Sequence, residues 1–124
     1  MNKTIMTAED YVTHEMRLQP KPFRMIKSGK KTIELRLYDE KRRKIKVGDT
    51  VIFTDTVSRE RLCATVLRLH RFDSFKELYS SLPLLACGYT EDSIGSADPT
   101  DMDAYYTPEE QEKYGVLGIE ISLS

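Results

Sequence analysis

The stretch Ser28–Arg36, "SGKKTIELR", decides how the chain is read. A glycine turns the backbone, and the residues after it, Lys31 to Leu37, favour a short strand because β-branched and aliphatic side chains suit a pleated surface. Alternation puts Thr32, Glu34 and Arg36 on one face and Ile33, Leu35 and Leu37 on the other. The apolar trio belongs to a core. Lys31 stands where the strand begins, so an ammonium, a carboxylate and a guanidinium converge. In an arbitrary protein such a face is most often simply solvated, since exposed ion pairs are worth only ~0–1 kcal/mol.

Upstream, "HEMRLQ" (14–19) alternates as a first strand, and "PKPFRMIKSG" from Pro20 reads as a short helix. Pro22 suits its first turn, Phe23 and Ile26 share one face, and Gly29 closes it in the left-handed region. Downstream, "YDEKRRKIKV" (38–47) is a basic connection and "VGDTVIFTD" a turn feeding a strand. "RLCATVLRLHRF" is a longer strand with Leu62, Ala64, Val66, Arg68 and His70 on one side and Cys63, Thr65, Leu67, Leu69 and Arg71 on the other. Neither side is polar throughout, so it is expected to run through the middle of a sheet or along a barrel wall. "DSFKELYSSL" is a capped helix with a Phe75, Leu78, Tyr79, Leu82 stripe. Pro83–Tyr106 is irregular and reads as a lid or an insertion at a site. "TPEEQEKYG" is a compact helix from Thr107 to Gly115, and "VLGIEISL" the closing strand. Connections too short for crossovers make the strands mostly antiparallel. The expected fold class is therefore α+β, a small mixed, mostly antiparallel β-barrel with flanking helices.

With 124 residues the chain is read as one domain, 1–124, in which residues 1–12 are a candidate for a loosely ordered N-terminal segment. A hydrophobic fraction of 40% against 31% charged describes a globular domain. A net charge of −1 supplies no global field, so any contact with nucleic acid must rest on a local patch. No apolar run approaches the ~20 residues needed to cross a bilayer, and the polar start does not read as a signal peptide, so a cytoplasmic location without membrane contact is expected. Cys63 is expected in the core and both cysteines reduced. His14 and His70, the only histidines, have no ligand at metal-binding spacing. Neither metal nor cofactor is called for.

"GKKTIELR" fits the pattern G-x-K-x-x-E-x-R and resembles the signature of the ASCH domain family, a branch of the PUA-like fold. "IKVGDTVIF", "LHRFDSFKELY" and "YGVLGIEI" are similar to later blocks of that family in the same order, so the likeness covers His14 to the end. It implies a small mixed barrel flanked by helices, and a cleft lined by Lys31, Glu34 and Arg36 for RNA or a nucleotide. A guanidinium grips phosphate or carboxylate through paired hydrogen bonds, while Glu34 can orient Arg36, accept from a base edge or act as a general base. Tyr105 and Tyr106, with Tyr89, offer faces for an unpaired base; rim packing is the rival reading. Arg17 or His14 can reach the same cleft if the first strand lies beside the motif strand. Lys41, Arg42, Arg43 and Lys44 form either a solvated loop or a phosphate-tracking patch.

Some ASCH proteins similar to this one are amidohydrolases that deacetylate N4-acetylcytidine. That resemblance implies a catalytic role for Lys31. Glu34 stands where those enzymes have a threonine nucleophile, so acyl transfer here would need a water-based route with Glu34 as base and Lys31 stabilising the oxyanion. The acidic residue of those enzymes lies in the loop before the last helix, where Asp98, Asp101, Asp103 and Glu110 are the candidates to stand in for it. The two expectations are thus a binding module for RNA, a nucleoside or a nucleotide, and a small amidohydrolase.

Overall fold

A computed structural model describes residues 11–123. The elements run β1 (Thr13–Leu18), α1 (Pro20–Lys27), β2 (Ile33–Leu37), β3 (Thr50–Asp55), β4 (Arg61–Phe72), α2 (Phe75–Ser81), α3 (Pro108–Tyr114) and β5 (Val116–Leu123). Short 3-10 turns lie at Arg42–Lys44, Ile94–Ser96 and Pro99–Ala104. The five strands form one sheet in the order β1-β3-β4-β5-β2, curled into a half-barrel, with β1 parallel to β3 and every other pair antiparallel. This is the α+β, mostly antiparallel and PUA-like arrangement expected from the sequence.

Local chemistry explains the elements. Pro20 and Pro22 open α1, and Gly29 (φ 82°) ends its exit turn. Ser74 caps α2 by accepting from the Glu77 N–H, and Thr107 and Glu110 form a reciprocal capping box at α3. β4 is the central strand, as its mixed faces imply.

The faces themselves differ from a simple alternation. Val66 pairs with Ile121 and Arg68 with Glu120, so Leu67 is a bulge. One extra residue reverses the alternation. Ala64 and Val66 lie in the core before the bulge and Leu69 packs on it afterwards, while Arg68 and His70 pair with Glu120 instead. Cys63 is exposed, contrary to its expected place in the core; the odd positions before the bulge face outward, and the buried cysteine is Cys87.

Two apolar clusters flank the sheet. One joins Phe23 and Ile26 of α1 to Met16, Leu18, Val51, Phe53, Ala64, Val66, Leu117, Ile119 and Ile121. The other joins Ile33, Leu35 and Leu37 of β2 to Phe75, Leu78, Cys87, Met102 and Val116. Gly118 lies against the second cluster, where a Cβ would stand 2.9 Å from Leu82 and 3.2 Å from Ile33.

His14 closes the far end of the first cluster. Its Nε2 lies 2.7 Å from Asp49 Oδ2, and Asp49 also accepts from the N–H of Lys46 (2.9 Å) and of Val12 (3.1 Å). One carboxylate thus ties the start of β1 to the turn before β3. It also shows Val12 bonded into the fold; residues 1–10 of the expected N-terminal segment lie outside the described ones. Burial pushes the Asp49 carboxyl up, but the hydrogen bonds from His14, Lys46 and Val12 outweigh it and hold the group below the ordinary carboxylate range. A depressed carboxyl contributes stability above its unfolded value and loses it as pH falls through the folded one. Replacing Asp49 by Ala leaves two backbone donors without their acceptor, so Asp49→Ala is expected to lose about 2–3 kcal/mol in urea unfolding at neutral pH. The difference from wild type should shrink in acid.

Candidate functional site

The site grows out of the exit from α1. Lys30 and Lys31 both donate their backbone N–H to the Met25 carbonyl (3.0 Å each), and Thr32 and Ile33 donate to the Ala86 carbonyl (2.9 and 3.0 Å). These bonds fix Lys31 at the start of β2 and pin the irregular segment beside it. Gly88 (φ 115°) permits the approach, because a Cβ there would stand 3.3 Å from the Lys31 side chain.

β2 is buried on both faces. Glu34 lies opposite Ile119 and Arg36 opposite Leu117 in the β2–β5 register, so the charged face points to the same side as the first apolar cluster. Glu34 is 4% exposed and Lys31 9%. Lys31 Nζ is 2.7 Å from Glu34 Oε1, and Arg36 Nε donates to Glu34 Oε2 at 2.7 Å. Burial pushes the Glu34 carboxyl up, yet the charges and hydrogen bonds of Lys31 and Arg36 prevail and hold it below its ordinary range. Burial likewise opposes the charge on Arg36, and Glu34 restores it. The sequence motif is therefore a buried triad in which the Glu34 carboxylate is held between Lys31 and Arg36. Arg36 continues past it: Nη2 donates to the carbonyl of Arg17 (2.9 Å), on the strand at the other end of the sheet.

Above the triad opens a cavity of about 490 Å³, within the range of ~300–1,000 Å³ usual for small-molecule sites. Arg17, Lys21, Lys31 and Arg36 give it cations, and Pro22, Met25 and Met102 apolar wall. Tyr79, Tyr89, Tyr105 and Tyr106 line it too. Tyr106 stacks on Phe75 at 6.3 Å, whereas Tyr105 is 70% exposed with its ring open to the solvent. Tyr79 and Tyr89 join their hydroxyls at 2.7 Å, and Tyr89 donates to Asp101 at 2.6 Å. Burial, with these bonds, raises the Tyr89 hydroxyl above its ordinary value, so it stays a donor. Burial also pushes the Cys87 thiol up to about 11, leaving it protonated at neutral pH.

Lys31, Glu34, Arg36, Tyr105 and Tyr106 thus share one cleft. His14 does not join them: it is on the core-facing row of β1, bound to Asp49. Asp101 lines the cleft, while Asp98 caps a 3-10 turn, Asp103 accepts from Gln111 and Glu110 caps α3. The basic loop divides. Lys41 and Arg42 line a second cavity of about 580 Å³ beyond Arg36; Arg43 lies over the Tyr38 ring, and Lys44 borders neither cavity. Lys21, Met25, Thr56 and Tyr79 border the cleft without any signal in their spacing; the α1 face, the turn after β3 and α2 bring them there. Among the described residues no three His, Cys, Asp or Glu side chains are gathered to hold a metal ion. No helix among them is long and apolar enough to cross a membrane.

This half-barrel sheet with its helices is a PUA-like fold. Residues 16–124 match the ASCH domain, and the chain belongs to the ASCH domain family. It is 37% identical to the hypothetical protein PH0355, whose crystal structure superposes with a TM-score of 0.75 over 90% of this chain and 99% of that one. Protein PF0455 from Pyrococcus furiosus is 36% identical, with a TM-score of 0.68 over 90% of this chain and 96% of its own. The ASCH protein from Zymomonas mobilis shares the fold at 16% identity, with a TM-score of 0.60 over 89% of this chain and 66% of that one. Comparison with curated proteins gives no match.

Removing the charge of Glu34 leaves two buried cations facing each other. Glu34→Gln is therefore expected to lose about 3–5 kcal/mol in urea unfolding at pH 7. Because the Glu34 carboxyl is depressed, wild-type stability is present above pH 4.5, its ordinary value, and falls as pH drops through the folded one; this component should be missing from the Glu34→Gln pH profile.

Proposed function

We propose that the protein binds RNA or a nucleotide, with an unpaired base entering the cleft above Lys31, Glu34 and Arg36. The observation that carries this reading is the pairing of an ionised, prearranged acceptor and donor set with an exposed aromatic face. The carboxylate oxygens of Glu34 have lone pairs left for a base amino group, and the remaining N–H groups of Lys31 and Arg36 suit carbonyl or phosphate oxygens. The Tyr105 ring supplies the stacking surface on which sequence-tolerant recognition of single strands relies. The PUA-like fold class, to which ASCH domains belong, is itself linked to RNA binding.

The same geometry weighs less for amide hydrolysis. Each oxygen of Glu34 already faces a cation, and a carboxyl held below its ordinary range is a weak base for activating water. Cys87 is protonated at neutral pH and offers no thiolate. Lys31 remains placed to stabilise an oxyanion, so the amidohydrolase reading keeps a direct test.

Fluorescence anisotropy with a labelled single-stranded RNA is expected to show binding at low salt that weakens as salt rises. Tyr105→Ala should cost about tenfold in affinity, matching ~1–3 kcal/mol per stacked base, while the unfolding midpoint is unchanged. Charge reversal at Lys41 and Arg42 should flatten the salt dependence. Absence of binding to any RNA at low salt overturns the proposal, and turnover of N4-acetylcytidine that Lys31→Ala abolishes would put the enzymatic reading in its place.

A further inference from the structure

The second cavity shares only Arg36 with the triad, and it meets the first one at two residues, Arg17 and Arg36, which line both. Its floor is the open edge of β1. Thr50 and Thr56 donate to the carbonyls of Val12 and Leu18, so the even-numbered residues of β1 bond to β3 and the odd-numbered Glu15 and Arg17 turn their backbone N–H and C=O outward. Side chains cover those carbonyls: Lys41 donates to Glu15 (3.3 Å) and Arg36 to Arg17 (2.9 Å). What is left along the edge is a pair of backbone donors beneath a rim of cations.

The rim is concentrated charge in a chain whose net charge is −1. Arg17, Arg36, Lys41, Arg42 and Arg59 face the groove, and Glu15, the one acidic residue there, is drawn toward Arg61 (3.0 Å). Arg42 is held by Asp39 through Nη1 (3.0 Å), while its buried Nε finds no acceptor among the described residues. A buried donor without a partner is costly unless a ligand supplies one. Arg59 stands in the turn before β4 at φ 68°, the sole non-glycine residue with positive φ among those described. A side chain costs roughly 1–2 kcal/mol there relative to glycine, yet the position carries an arginine that reaches the groove.

We propose that this groove is a phosphate subsite, serving a phosphate attached to the nucleoside whose base enters the cleft. The ligand class is then a nucleotide or an RNA strand, and a free nucleoside fills only half of the site. This rests on the base-in-cleft reading for the identity of the ligand, but the groove makes its own prediction.

The test follows backbone amide signals of the labelled full chain by NMR during titration at low salt with each of the four ribonucleosides, their 3′- and 5′-monophosphates, and inorganic phosphate. Glu15 and Thr54 border only the groove, Gly88 and Tyr105 only the cleft. A monophosphate is expected to move Glu15 and Thr54 where its nucleoside does not, and to bind about tenfold tighter, the gain of one charge-assisted contact. Arg59→Glu, on an exposed turn, should abolish that gain and leave nucleoside affinity within about twofold, because a nucleoside carries no net charge for the reversed side chain to act on. A monophosphate that binds no tighter than its nucleoside, or a gain that survives Arg59→Glu, overturns the subsite and spares the cleft. If instead Gly88 and Tyr105 stay still with every probe, the base-in-cleft reading falls. An Arg59-dependent shift of Glu15 and Thr54 with inorganic phosphate then still supports the subsite, and silence there overturns it.

Discussion

The carboxylate of Glu34 is the constraint on which the rest depends. The two edge strands of the sheet, β1 and β2, have no hydrogen-bond ladder between them, and what spans the gap is the guanidinium of Arg36 reaching the Arg17 carbonyl. Glu34 holds that guanidinium at its Nε, and Lys31 balances the second oxygen. Buried ions are tolerated only when fully paired, so none of the three side chains has freedom to move alone. The seam of the half-barrel is closed by side chains rather than by backbone, and it presents chemistry where a ladder would present none.

Position follows from the same constraint. Because Arg36 bridges the seam, it separates the cleft above α1 and β2 from the groove along β1 while lining both. The segment after α2 is drawn in by the Ala86 carbonyl, which accepts from Thr32 and Ile33 as a further strand would. That anchor sets Gly88 against Lys31 and brings the Tyr79, Tyr89 and Asp101 chain across the opening. A stretch without regular structure thereby becomes a defined wall, tied by its own hydrogen bonds and by Met102 and Cys87 in the second apolar cluster.

Much of this was legible locally. Prolines, caps and glycines mark the ends of α1, α2 and α3, and β-branched runs mark the strands, because those signals act within a few residues. The motif spacing put Glu34 and Arg36 on one face, since alternation along one strand needs no tertiary partner, whereas Lys31, three residues before Glu34, joins them through the turn out of α1. His14 was misplaced for the opposite reason: its neighbour is Asp49, and that pairing arises from the parallel register of β1 with β3, which no short-range pattern encodes. Cys63 was misread because Ala64 and Val66 beside it are core, and the bulge at Leu67 reverses the alternation farther along β4.

By itself the sequence determined the elements, their order, the family resemblance and the charged composition of β2. Tertiary structure alone decided that this charged face is inward: α2 covers the apolar side of β2 and the curled sheet covers the other, so charges that a lone strand would leave in water are buried and paired. It also decided that Arg17 and Arg59 stand with Lys41 and Arg42 around one groove, for these lie on different strands and turns and meet only when β1 packs parallel to β3. Local sequence fixes which side chains a strand offers to each face; which face meets solvent depends on what the rest of the chain lays over it.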